Sequence, residues 1–349
     1  MLKKILPLFL IFAILSGCGR ASNKDKISIP ETEKFSSTVY AMDTVMDISL
    51  YGGSESVLKD VESLILDLES KLSTTDEESE IYKLNNNKIG ELSEDTADIL
   101  NKALGFCEKT QGNLDISIYP VVREWGFTTG EYNVPSEENI ISLLKNVDYS
   151  QLAFDKSNNT VNLPENMKID LGSVAKGYTG DRVLELLKEE GVVSALLNLG
   201  GNVQTLGIKP NGEKWNIGIQ DPLSEGYIGA LSVSDSAVIT SGGYERFFED
   251  EKGNIYWHII DPKTGHPARN GIISATAIGP KGAYCDALST SLFIMGKENA
   301  IEFWREYKDF EMILVTDTYE VFITPSLAED FVFNEDSIYT LKVISNDQN

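Results

Sequence analysis

Histidine is scarce in this 349-residue chain, which carries only two, His258 and His266, alongside three cysteines. That shortage excludes the usual His/Cys ligand sets of zinc and leaves no disulfide framework. Cys18 lies near the N-terminus, while Cys107 and Cys285 sit in apolar helical patterns that suit small buried core residues. Positive charge is also in short supply. The 30 Lys and Arg face 54 Asp and Glu, a formal net charge of -24, which repels phosphodiester backbones and anionic lipid headgroups, so nucleic acid is not an expected partner. The acidic residues are scattered, as simple solubility requires, rather than gathered into a tail. There is no Gly-x-Ser-x-Gly elbow, no His-Glu-x-x-His and no EF-hand loop. Ser241, in Thr240-Ser241-Gly242-Gly243, does not match an elbow.

What is present begins with an export signal. Lys3 and Lys4 precede an apolar run from Ile5 to Leu15, interrupted only by Pro7. The run is shorter than the ~20 apolar residues of a transmembrane helix, and it ends in Leu15-Ser16-Gly17-Cys18. This resembles the bacterial lipoprotein signal, which implies acylation of the Cys18 thiol and cleavage just before it. An ordinary secretory signal with a chance cysteine is the alternative, and either places the protein outside the cytoplasmic membrane. The expected organisation is a signal peptide over 1–17, a lipidated N-terminus and polar tether over 18–35, and a folded domain over 36–345, held at the extracytoplasmic face of the cell membrane.

Val39 to Tyr51 has strand composition. The spacing of Val57, Leu58, Val61, Leu64, Ile65, Leu68 and Leu72 predicts a helix from about Ser54 to Leu72. Further helices are expected from Ser93 to Cys107, around Ile140 to Leu144, and from an N-cap at Ser173 to Glu190, with Gly191 left-handed after it. Gln151 to Leu163 reads as a hairpin, short strands dominate to about Ile278, and Gly282 to Met295 is helical by pattern. Strands in succession argue for an α+β fold with largely antiparallel sheet rather than a doubly wound one.

Four segments could carry chemistry. Asp170 to Tyr178, DLGSVAKGY, is a glycine turn feeding a helix N-terminus that favours a phosphate, with Lys176 one turn in. It is neither a Walker loop nor a dinucleotide fingerprint, and a capped structural helix has the same pattern. Asn198 to Val203, NLGGNV, suits a strand ending where a ligand approaches the backbone, or a plain tight turn. His258 to Pro267, HIIDPKTGHP, puts a histidine at a strand end beside a turn, either as a general base or as a structural residue. Asp286, Ser289 and Thr290 fall on one helical face, an oxygen set that suits a hard ion such as Mg2+ or a back-bonding cluster.

In this order the segments, with Ala41-Met42-Asp43-Thr44, TSGGYERFF at Thr240 to Phe248 and DALSTSLFIMG at Asp286 to Gly296, resemble the ApbE family, the FAD:protein FMN transferases. The match covers nearly all of the chain after the tether. The resemblance implies a two-lobed α+β fold with FAD bound between the lobes, and Mg2+-dependent cleavage of FAD that releases AMP. FMN is then esterified to a Thr or Ser hydroxyl of a membrane or surface redox protein. It also implies that Met42 and Asp115 line the FAD site, that Asp170 and Lys176 hold the nucleotide, and that Ile260 contacts it. Ser173, through its carbonyl, would join Asp286, Ser289 and Thr290 around the metal, and His258 would activate the acceptor hydroxyl. Asp43 departs from the family's usual glycine, Ser173 from its glycine or alanine, and Gly243 from its frequent aspartate. An FAD pyrophosphatase and a non-catalytic flavin-binding lipoprotein are the competing readings.

Overall fold

Two strands, β1 (Lys34–Ala41) and β2 (Thr44–Tyr51), open the computed structural model, which describes residues 33–345. Cys18, the signal and most of the tether lie outside the described residues. The single strand expected over Val39–Tyr51 is instead the end of β1, a turn and the whole of β2. Ala41 pairs Thr44, and the two residues between, Met42 and Asp43, take φ of 50° and 59°, the left-handed pair that a tight primed turn demands.

Helix α1 (Glu55–Leu72) follows its expected bounds, with six buried apolar side chains on one face, each contributing about 1.5–3 kcal/mol by burial. Helix α2 (Glu80–Asn87) is an addition to the sequence reading; Ser79 caps it by accepting from the Tyr82 amide. Strand β3 (Ile89–Glu91) and helix α3 (Glu94–Lys109) come next, then α4 (Tyr119–Glu124), α5 (Glu137–Leu144) and the hairpin β4 (Ala153–Asp155) to β5 (Thr160–Asn162). Helix α6 (Gly172–Glu189) ends on Gly191 at φ 76°, as expected. Its start differs. Leu171 occupies the N-cap and Ser173 lies inside the first turn, because Asp170 Oδ1 takes the Gly172 amide at 2.8 Å and does the capping instead.

The second half of the chain is mostly strand: β6 (Ser194–Leu199), β7 (Asn202–Leu206), β8 (Trp215–Gln220), β9 (Tyr227–Val233), β10 (Ala237–Gly242), β11 (Phe247–Glu249), β12 (Ile255–Trp257) and β13 (Ile272–Gly279). Helix α7 (Gly282–Tyr307) precedes β14 (Glu311–Thr316), β15 (Glu320–Ile323), β16 (Phe331–Phe333) and β17 (Thr340–Val343). The nine-stranded central sheet runs β1-β2-β6-β7-β10-β13-β14-β15-β17. Its neighbours are antiparallel except β15 and β17, which gives the expected α+β class.

Both faces of that sheet are covered, and the strand period of two decides which residue goes where. Ala237, Ile239, Ala275, Ala277, Met312 and Leu314 pack against α7. Their neighbours Val238, Ile278, Ile313 and Val315 face a small sheet of β8, β9 and β16. Near the other edge, α1 and α6 cover Ile48, Leu50, Ala195 and Leu197. Two further clusters complete the walls of the site, a large one around α2, α3 and Ile116 and a small one around Trp125, Phe127, Ile140 and Ile260.

Helix α7 is broken at Gly296, where φ 77° and ψ 167° are open only to glycine. At the break the Asn270 side-chain amide donates to the Phe293 and Ile294 carbonyls, at 2.9 and 2.7 Å.

Candidate active site

A cleft of about 450 Å³ opens between these clusters and the ends of α6, β10 and α7. Met42, Asp115, Asp170, Ser173, Lys176, His258, Ile260, Asp286 and Thr290 all line it. Ser289 does not. It is fully buried behind the wall, where its hydroxyl donates to the Asp286 carbonyl at 3.0 Å and meets the Ser241 hydroxyl at 2.8 Å.

Glycines bring α6 and α7 together here. A Cβ at Gly177 would stand 2.3 Å from the Gly282 carbonyl oxygen, and one at Gly282 would stand 2.4 Å from that of Gly177, so only bare backbone allows the approach. Gln204 of β7 ties the crossing by donating to the Gly177 carbonyl at 2.9 Å. Asp181, from α6, takes the Gly282 and Ala283 amides at 2.7 and 3.0 Å and thereby caps α7, whose own N-cap residue Lys281 offers no side-chain bond.

The crossing delivers Asp286 to α6. Asp286 Oδ2 accepts from the Gly177 amide at 2.8 Å, the N–H that in a regular helix points at the Ser173 carbonyl. The carboxyl is buried, and burial pushes it up to about 6, with the Lys176 charge and the Gly177 amide pulling it down and Asp181 pushing it further up. A buried carboxylate so raised is one that an added cation stabilises. With the Thr290 hydroxyl and the Ser173 carbonyl it makes an all-oxygen donor set, which fits Mg2+ when substrate phosphates supply the remaining ligands. Among the described residues no group of three or more His, Cys, Asp and Glu could hold a metal by itself.

His258 follows β12 and is half-buried. Its backbone amide and its Nδ1 both lie on the Arg246 carbonyl, at 3.1 and 3.2 Å. A carbonyl only accepts, so Nδ1 carries the proton and Nε2 keeps the lone pair. Crowding by the cleft walls pushes the imidazole down to about 4, the Arg246 carbonyl opposing and the Arg246 and Lys176 charges adding. The ring is therefore neutral near pH 7, with the Nε2 lone pair unprotonated.

The other residues marked by sequence mostly shape the wall. Both Asp115 oxygens are used: Oδ1 takes the Ser117 amide and hydroxyl at 2.8 and 2.6 Å, and Oδ2 takes the Tyr149 amide at 3.2 Å. Burial holds that carboxyl above its ordinary value, the Ser117 bonds opposing. Burial likewise raises Asp170, against the pull of the Gly172 amide and the Arg246 and Lys176 charges. The Met42 amide is fixed by Glu69 Oε1 at 2.6 Å. Ile260 bridges to Pro267 and packs with Trp125, whose indole N–H donates to the Gly265 carbonyl at 2.8 Å.

Three cleft residues have no role in the sequence reading, which considers Ser241 only as an elbow nucleophile and rejects it. Ser241 ends β10 and meets Thr290 at 3.2 Å as well as Ser289. Glu245 is open to the cleft yet hemmed in by its walls. That crowding pushes its carboxyl up to about 7, Lys176 opposing and Asp286 adding. Arg246 lines the mouth. All three lie on or just after β10, in TSGGYERFF, a segment that counts toward the family resemblance but shows its chemistry only when folded against α7. Cys107 and Cys285 are free and buried, as expected.

Comparison with known proteins finds chains similar to this one. Residues 42–314 match the model of the ApbE family. The FAD:protein FMN transferase of Haemophilus influenzae is 28% identical over 93% of this chain and 96% of its own length. That of Klebsiella pneumoniae is 30% identical over 83% of this chain and 92% of its own. The crystal structure of the ApbE protein from Thermotoga maritima superposes with a TM-score of 0.80 at 30% identity, over 85% of this chain and 99% of the other.

Proposed function

Because this chain belongs to the ApbE family and is a transferase, we propose that it moves the FMN half of FAD onto a Thr or Ser hydroxyl of a partner redox protein and releases AMP. The named activity of its full-length relatives supports this. The structural observation that carries it is His258, neutral and with Nε2 free, held at the same cleft as Lys176 and Asp286. Nε2 takes the proton of the acceptor hydroxyl, whose oxygen attacks the FMN-side phosphorus. The phosphorus–oxygen bond to AMP breaks, and AMP leaves with the bridging oxygen. Lys176 and the amide end of α6 offset the pyrophosphate charge. Asp286, Thr290 and the Ser173 carbonyl are the groups that would hold Mg2+, with Ser289 bracing Asp286 from behind. When bound, the ion neutralises phosphate charge on the pyrophosphate.

The proposal extends to location. A lipid on Cys18 would tether the domain outside the cytoplasmic membrane, where membrane or surface redox acceptors lie. Incorporation of labelled palmitate that disappears in Cys18→Ala tests the anchor.

The activity is tested by incubating the chain from Gly19 onward with FAD, Mg2+ and a candidate acceptor, with an EDTA control. A Mg2+-dependent fluorescent acceptor band on a denaturing gel, with AMP released, is expected. AMP and free FMN without a band for any acceptor supplied would make the protein a pyrophosphatase, and FAD left intact throughout would make it a binding protein.

A further inference from the structure

The mouth of the cleft is crossed by one ion pair. Asp43, at the tip of the β1–β2 hairpin, places Oδ2 3.8 Å from Arg246 Nη1. Arg246 Nη2 meanwhile donates to the Phe127 carbonyl at 2.6 Å on another wall. Its charge also reaches Asp170, which caps α6, and His258. Arg246 thus stands beside the helix end where a phosphate is favoured, with one side of its guanidinium engaged by Phe127 and the other given to Asp43.

The Asp43 contact is the weak one. It is beyond hydrogen-bond distance, and the two side chains are 79% and 46% exposed, conditions under which an ion pair is easily exchanged. A phosphate offers the same guanidinium shorter, charge-assisted bonds. Asp43 cannot retreat far when that happens. Its residue is held at φ 59°, and the neighbouring Met42 amide is tied to Glu69, so the carboxylate stays within reach of Arg246 and competes for its guanidinium.

We infer that Asp43 sets the affinity of the cleft for its anionic ligand, because Arg246 exchanges the Asp43 carboxylate for a phosphate of the ligand on binding. This rests on the FAD reading. It makes Asp43 a specificity-determining residue that acts through Arg246, and it assigns a purpose to a carboxylate at a turn position where glycine would be conformationally easier.

The test is equilibrium titration in EDTA, read by flavin fluorescence, with FAD and with riboflavin, which has the isoalloxazine ring but no phosphate. Asp43→Asn keeps a residue at home in the left-handed region, so its melting temperature should match that of the unmodified protein. It is expected to tighten FAD about threefold, the scale of one exposed charge contact, and to leave riboflavin unchanged. In an Arg246→Met background the gain should vanish. Unchanged FAD affinity in Asp43→Asn, an equal gain for riboflavin, or the same gain without Arg246 would each overturn the exchange. If the unmodified protein bound no FAD, the transferase reading would fall and this inference with it, whereas FAD binding indifferent to Asp43 removes the inference alone.

Discussion

Asp286 of α7 holds the Gly177 amide of α6 at 2.8 Å, and this bond exists because neither Gly177 nor Gly282 has a side chain to keep the helices apart. The carboxylate that suits a metal is therefore positioned by a backbone crossing, and the expected effects of mutation follow from that dependence.

Asp286 should govern the acid side of metal binding. Its carboxyl rises from an ordinary 3.8 to about 6 on folding, so the native state binds more protons than the unfolded one between those values. The group's contribution to stability is fully present below about pH 4 and is lost as pH rises through 6. On the proposed reading Mg2+ takes the ionised form, so it should raise the melting temperature at pH 8 but not at pH 5. In Asp286→Asn the shift at pH 8 should shrink and return only partly with excess Mg2+. Equal shifts at both pH values in the unmodified protein would remove Asp286 from the metal site.

His258 titrates in the opposite sense. Its folded value of about 4 lies below the ordinary 6.5, so the stability it contributes is present above pH 6.5 and lost as pH falls toward 4. Transfer activity should therefore decline with a midpoint near pH 6, following Asp286, rather than near 4. His258→Ala should lower transfer by 10²-fold or more, the usual scale of a general base, while FAD affinity changes little. Parallel loss of binding and transfer would make His258 a ligand contact instead.

Gly177→Ala tests the crossing. An alanine in a helix is ordinarily stabilising by roughly 1 kcal/mol over glycine, but here its methyl would meet the Gly282 carbonyl oxygen at 2.3 Å. Overpacking of that kind costs about 1–3 kcal/mol, so chemical denaturation should show net destabilisation, and Mg2+ affinity should fall because Asp286 is displaced. A stabilised protein would mean that α6 and α7 separate freely.

Asp181→Ala should remove the cap of α7. Two amides lose their acceptor, which is expected to cost about 1–2 kcal/mol, measurable as a lowered unfolding midpoint. Asp181→Asn, which keeps one acceptor oxygen, should recover part of that loss.

Much of this was legible before the structure. Val57, Val61, Ile65 and Leu68 recur at helical spacing because α1 has one wet face and one dry face. The Met42–Asp43 turn was not legible, since neither residue advertises a left-handed conformation and the strand composition continues across it. Polar α2 gave little apolar period to read, and Gly296 reads as a helix stop, which concealed the second half of α7. In the site, segments could be recognised one at a time, and His258, Lys176 and Asp286 do share a cleft. Ser241, Glu245 and Asp181 could not be assigned, because their partners are 40 or more positions away in sequence and only the packing of β10 and α6 on α7 brings them together.

The break at Gly296 leaves α7 as two stiff rods on a hinge pin, Asn270, rather than one long lever. The rod bearing Asp286 and Thr290 is clamped at its own start by Asp181. Strain arriving through the outer rod, which packs toward β14, is absorbed at the joint before it reaches the oxygen cluster. Changes at the exposed positions beyond Lys297 should thus leave the chemistry untouched, whereas Ala300, Phe303 and Trp304 anchor the outer rod in the core and are not free to vary.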